Sequence, residues 1–244
     1  MSEDSDGAVC GVEGCTQATT DLLGAAQGAR SRLFIEVISD AICPWCWIAK
    51  RRLESALAAL APNVAASVTW RPFELNPEMP NAGLDRRAYR SAKFGSWQRS
   101  LALDAQVAEV GQSEGLVFNH DNIERTPNTI DAHRLILLAG QTGKQSDVVE
   151  GLFAAYFNEG RDIGDLSVLA DVGAAAGLNR AGILAMLVSR EGQSEVRSEL
   201  RRAANFGVSA VPTVLNDGVL LFTGAIRADL MEAELRKAAG DVRH

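Results

Sequence analysis

The sequence predicts one α/β domain whose sheet is built from both ends of the chain, with a large all-helical insertion between them. Three observations carry this reading. Strand signals occur only near the ends: the apolar run Leu33–Ile38, the alternating stretch Val64–Trp70, and the pair Pro212–Leu215 and Val219–Phe222. Between about Leu84 and Gly207 the apolar period is helical. At the front, strand, helix and strand follow with short connections, the pattern of a βαβ unit.

Residues 1–30 hold five acidic side chains against one basic one and show no sustained period. A flexible acidic tail carrying Cys10 and Cys15 is expected there, with a short helix around Leu22–Ala26. The run Leu33–Ile38 suits a central strand covered on both faces. A helix follows from about Pro44 to Leu60, because Cys46, Ala49, Leu53, Ala56, Leu57 and Leu60 share one stripe. Lys50, Arg51 and Arg52 read as its solvated face. Val64, Ala66, Val68 and Trp70 alternate as a second strand, which Pro72 closes. The insertion is expected to hold four to six helices. Two of them are marked by Val149, Leu152, Phe153 and Tyr156 and by Val196, Leu200 and Ala203. Asp165-Leu166-Ser167 reads as a helix start and Gly177-Leu178-Asn179 as a glycine stop. Asn216-Asp217-Gly218 makes a hairpin turn. A last helix, about Arg227–Ala239, turns Leu230, Met231 and Leu235 inward. The expected organisation is thus a tail at 1–30, a sheet domain formed by 31–75 with 208–244, and the insertion at 76–207.

Composition narrows the function. The 244 residues carry 24 basic against 31 acidic side chains, a net charge of −7, which argues against a nucleic-acid partner. The hydrophobic content of 47% can fill a core of this size. No run is apolar and long enough to suggest a membrane span. Met1–Gly7 carries acids where a secretory leader would carry bases, so a cytoplasmic location is expected. In a reducing compartment, paired cysteines are more often catalytic, redox-sensing or metal-binding than structural.

Of the four cysteines, Cys43 and Cys46 sit where a strand passes into a helix. Cys43 falls at the N-cap or first turn, where unpaired N–H groups and the positive helix end favour its thiolate. Pro44 at the first helical position loses no hydrogen bond. Cys46 lies on the buried stripe, one turn on. An exposed nucleophile at Cys43 beside a shielded resolving thiol at Cys46 is what disulfide exchange requires. A zinc site drawing on all four cysteines would disable that nucleophile, and no metal is expected.

The stretch Ser39–Glu54, with Cys43-Pro44-Trp45-Cys46 at its centre, resembles the FrnE-like branch of the DsbA family of thiol–disulfide oxidoreductases. So do Arg71–Pro77, Arg125–Thr129 with Asp131–Leu135, Gly207–Thr213, and Gly224-Ala225. The resemblance spans about residues 32–240 and implies a thioredoxin-like fold with a helical insertion. It also implies a cis peptide at Val211–Pro212 facing Cys43, with the residue-211 backbone offered to substrate. Pro44 and Trp45 are then part of the active-site motif. Periplasmic relatives often carry His where Trp45 stands, which implies a weaker oxidant here. The implied partners are protein or small-molecule thiols and disulfides, with glutathione as a candidate co-substrate. The alternative of the same architecture is a glutathione-dependent isomerase or a kappa-type transferase, whose sites typically use serine. Cys10 and Cys15 read either as an auxiliary redox pair or as incidental thiols. Asp40 reads as a turn cap or a proton relay, and His133 as structural or pocket-lining. Oligomeric state stays open.

Overall fold

The structure, a computed structural model, describes residues 31–61 and 63–241. The tail, with Cys10, Cys15 and the expected helix at Leu22–Ala26, lies outside the described residues. The chain runs β1 (Ser31–Ser39), α1 (Pro44–Leu60) and β2 (Val64–Pro72), then enters the insertion. There β3 (Leu84–Asp85), α2 (Arg86–Phe94), α3 (Trp97–Ser113), a 3₁₀ turn (His120–Asn122) and β4 (Arg125–Thr126) come first. Next are α4 (Ile130–Gly140), α5 (Gln145–Phe153), a π-helical turn (Ala154–Asn158), α6 (Leu166–Ala175), α7 (Arg180–Val188) and α8 (Gln193–Asn205). The chain returns through β5 (Thr213–Asn216), β6 (Val219–Thr223) and α9 (Ala228–Asp241).

The main sheet has the order β2-β1-β5-β6, so strands from both ends of the chain do form it. β1 pairs parallel with β2 and antiparallel with β5. A parallel neighbour needs a crossover, which α1 supplies. The β5–β6 hairpin closes through Asp217 and Gly218 at φ 49° and 79°. Two successive positive φ values are what a type I′ turn requires, and glycine adopts one without steric cost.

Leu33, Ile35 and Val37 of β1 pack into a core with Ile48 and Leu53 of α1 and Met231 and Leu235 of α9. The opposite face behaves differently from the expectation of a strand covered on both sides. Phe34 is 48% exposed, and Glu36 pairs with Arg71 and Arg202. Only Ile38 is covered there, by Leu215 and Ala203. The alternation of side chains along a strand leaves the second face to whatever α8 can reach.

Three further details differ from the sequence reading. The insertion holds seven α-helices rather than four to six, because short connections split the helical period. It also contains one minimal antiparallel pair, Leu84 with Thr126 and Asp85 with Arg125, too short to leave an alternating pattern. The basic run on α1 is not a solvated face. Lys50 is buried, 2.5 Å from Glu54 and 2.7 Å from Glu150. Arg52 reaches Glu114 at 2.7 Å and the Ala225 carbonyl at 2.6 Å. These residues tie α1 to the insertion and to the start of the C-terminal helix.

α4 is fixed by its own interior charge. Arg134 is buried, and its guanidinium donates to the carbonyls of Met186, Leu187, Ser189 and Glu191 at 2.5–3.1 Å. Those carbonyls lie at and just beyond the end of α7, where a helix runs short of its own donors. Asp131 balances the charge at 2.7 Å. Replacing Arg134 with Met keeps the apolar stem and strips the guanidinium donors from the Leu187, Ser189 and Glu191 carbonyls, while the Met186 carbonyl keeps the Ser189 N–H and hydroxyl. The expected loss is about 1–3 kcal/mol, the range for leaving a buried acceptor without its donor. Urea unfolding of Arg134→Met measures it, and an unchanged midpoint would refute the role.

Candidate active site

The register of the sheet brings three loops to one edge. Ile38 of β1 stands opposite Thr213 of β5, and Ser39 opposite Pro72 of β2. The turn 40–43, the loop after Pro72 and the loop before Thr213 therefore meet at the start of α1. Cys43 is the N-cap of α1, extended at φ −92° and ψ 109°, and Pro44 opens the helix. The Cys43 N–H donates to the Asp40 carbonyl at 3.0 Å, which tightens the turn. The Val211–Pro212 bond is cis, and the Cys43 thiol lies 3.8 Å from the Val211 carbonyl.

Cys46 follows one turn later, fully buried behind Cys43. Both are free thiols. Burial, and then the neighbouring Cys43, hold the Cys46 thiol well above its ordinary value. The expected contrast in exposure between the two is narrow, since Cys43 is only 4% exposed. Helix α1 and the Val211 loop cover most of it, and what remains faces a cavity.

That cavity, about 350 Å³, has Ile42, Cys43, Pro44, Trp45 and Val211 along one wall. The insertion supplies the rest, with α2, α3, the 3₁₀ turn and the π-helical turn all contributing. Asp104 there receives Arg86 at 2.7 Å and Arg90 at 2.6 Å. Tyr156 and Phe157 come from the π-helical turn, an irregularity that often marks functional sites. Burial pushes the Tyr156 phenol up and the His120 imidazole down, so both are neutral near pH 7. No signal in the sequence pointed to His120. Its proximity to Asp104 depends on the packing of α3 against the turn at 120–122.

Behind the dithiol, Asp40 is wholly buried. Its carboxylate accepts from the Leu75 N–H at 2.7 Å and the Ile42 N–H at 3.4 Å, the turn-capping role. His133 Nε2 donates to the Phe73 carbonyl at 2.9 Å and lies 3.6 Å from Asp40. His133 is thus structural rather than pocket-lining. Glu74 stands nearby, and burial raises its carboxyl above the usual range. Among the described residues no cluster of metal-ligating side chains occurs, and no helix is long and apolar enough to cross a membrane.

A mixed four-stranded sheet, with a dithiol opening the helix that follows its central strand, defines a thioredoxin-fold thiol–disulfide protein. The chain belongs to the DSBA-like thioredoxin domain family, whose model matches residues 34–236. It is 30% identical over 200 residues to the uncharacterized protein YwbO of Bacillus subtilis, covering 81% of this chain and 93% of that one. A probable DsbA oxidoreductase from Streptomyces coelicolor, SCO1869, superposes with a TM-score of 0.79 at 29% identity. That match covers 86% of this chain and 91% of the other. The cytosolic disulfide reductase DsbM of Pseudomonas aeruginosa shares the fold, with a TM-score of 0.58 and 18% identity over 84% of this chain and 98% of that one. The family expected from the motifs is therefore established, and the matches are compatible with its FrnE-like branch.

The buried Cys46 thiol makes the reduced protein sensitive to alkali. Its proton is held in the folded state where the unfolded chain, with a thiol pKa of about 8.5, releases it. The stabilisation is complete below that value and is lost as pH rises above it toward the folded value. Urea midpoints of the reduced protein are expected to fall between pH 8 and pH 10. The Cys46→Ala variant should fall less over the same interval. Parallel pH profiles for the two proteins would contradict the assignment.

Proposed function

We propose that this protein is a thiol–disulfide oxidoreductase in which Cys43 is the nucleophile and Cys46 the resolving thiol. The observation that carries the reading is the geometry at 43–46. One sulfur stands at a helix N-cap on a cavity wall, and the second, one turn on, is sealed from solvent. The unpaired N–H groups and dipole of the helix start stabilise negative charge at the first sulfur only. Cys43 thiolate attacks a substrate disulfide, forming a mixed disulfide and releasing one thiolate. Cys46 then loses its proton, attacks the Cys43 sulfur and releases the second thiol. Val211 offers its backbone beside the reacting sulfur, and Pro212 holds the loop that presents it. The partners are protein or small-molecule thiols. Glutathione, bound in one structure of DsbM, suits the role of co-substrate that returns the enzyme disulfide to the dithiol. Nothing at positions 43–46 favours the isomerase or transferase alternative, since the cysteine pair is intact.

The roles separate by trapping. With a disulfide substrate in excess, Cys46→Ser is expected to accumulate a mixed disulfide at Cys43, read by intact mass. Cys43→Ser should accumulate none, because Cys46 is sealed. An adduct on Cys46 in the second variant, or equal trapping in both, would reverse the assignment.

A further inference from the structure

The cavity beside Cys43 is more specialised than exchange with an exposed protein disulfide requires. Its volume of about 350 Å³ lies at the small end of the roughly 300–1,000 Å³ typical of small-molecule sites. Leu103 and Val107 of α3, Ile123, Phe157 and Trp45 give it an apolar body. Its charge is one-sided, because Arg86, Arg90 and Lys93 face a single carboxylate, Asp104. Lys93 stands exposed at the rim with only neutral partners, the Asn76 side chain at 2.5 Å and the Leu75 carbonyl at 3.5 Å. Deeper in, His120 and Thr126 are buried, with the His120 Nε2 atom enclosed by protein. His120 Nε2 is 3.9 Å from Asp104, too far for a hydrogen bond.

We propose that this cavity is the binding site for a low-molecular-weight disulfide with a compact apolar, ring-sized body and an anionic group. The anion sits at Lys93, and the apolar body lies against Leu103, Val107, Ile123 and Phe157. This deepens the exchange reading above and rests on it. The reaction is balanced by the ligand itself. Cys43 thiolate forms a bond to one ligand sulfur as the ligand S–S bond breaks, and the other half leaves with the electron pair as a thiolate. Cys46 then closes the enzyme disulfide, its proton passes to solvent, and the second half leaves. One disulfide is reduced to two thiols and one dithiol is oxidised. The net positive wall favours the anionic leaving group.

The test uses the reduced full-length protein in single-turnover mixing with three disulfides. These are 5,5′-dithiobis(2-nitrobenzoate), which is aromatic and anionic, uncharged 2,2′-dipyridyl disulfide, and a flexible peptide disulfide. Alkylation by iodoacetamide reports the intrinsic reactivity of Cys43. The rate with the anionic aryl disulfide should saturate with concentration, whereas the peptide rate should stay linear. Lys93→Gln should lower the apparent second-order constant for the anionic compound about ten-fold, the order supplied by one charge-assisted hydrogen bond. The uncharged compound should change little. Leu103→Trp, at a half-buried wall position, should slow both aryl compounds far more than it slows iodoacetamide, whose rate reports any change in access to Cys43. Linear kinetics with every disulfide, or a Leu103→Trp variant that reacts like the parent, would overturn the cavity proposal while leaving the dithiol chemistry standing. No exchange with any disulfide would overturn both.

Discussion

The structure depends on one buried carboxylate. Asp40 ends β1 at the point where the sheet, the dithiol helix and the insertion meet, and it is wholly enclosed. A carboxylate taken out of water must be hydrogen-bonded or paired. Asp40 satisfies that demand from Ile42 on its own turn, from Leu75 beyond β2 and from the neighbourhood of His133 on α4. The turn that presents Cys43 is thereby held to two other parts of the chain. His133 adds a bond to the Phe73 carbonyl, and Arg134 beside it locks α4 to the end of α7. Adjacent residues on one helix thus hold the sheet edge on one side and the far helices on the other.

Ion pairing continues this arrangement along α1. Lys50 and Arg51 converge on Glu150 of α5, which also accepts from the Trp47 indole at 3.1 Å. Trp47 packs among Phe118, Phe153 and Phe157. The same aromatic cluster reaches the π-helical turn that lines the cavity. The first half of the helix carrying both thiols is therefore packed against the insertion, which also walls the cavity beside Cys43. Cys43 gains shielding from that packing and keeps one side against the cavity.

The parts of this account that were legible in the sequence are those set by short-range geometry. The dithiol spacing, Pro44 at the helix start, the alternating second strand and the Asp-Gly turn act within a few residues. The partner loop at Val211–Pro212 was legible only through resemblance, since sequence separates it from Cys43 by 168 positions. The cavity was not legible. Arg86, Lys93, Asp104, His120 and Tyr156 come from four different elements, and helical periodicity does not say which helices will face one another. The basic run at Lys50–Arg52 was misread for the same reason. Its acidic partners at Glu114 and Glu150 are supplied by distant helices, so a local reading sees only charge on a helix face. Phe34 was misread because a short apolar run does not distinguish one covered face from two.

The central claim is that Cys43 and Cys46 act as one two-electron couple rather than as separate thiols. Equilibration of the protein in a series of glutathione redox buffers, with the 43–46 peptide read by mass, tests it most directly. The account predicts a single transition from dithiol to intramolecular disulfide, with the loss of two hydrogens and a two-electron dependence on the buffer. A glutathione adduct that persists on Cys43 without closure by Cys46, across the range of buffers, would contradict it.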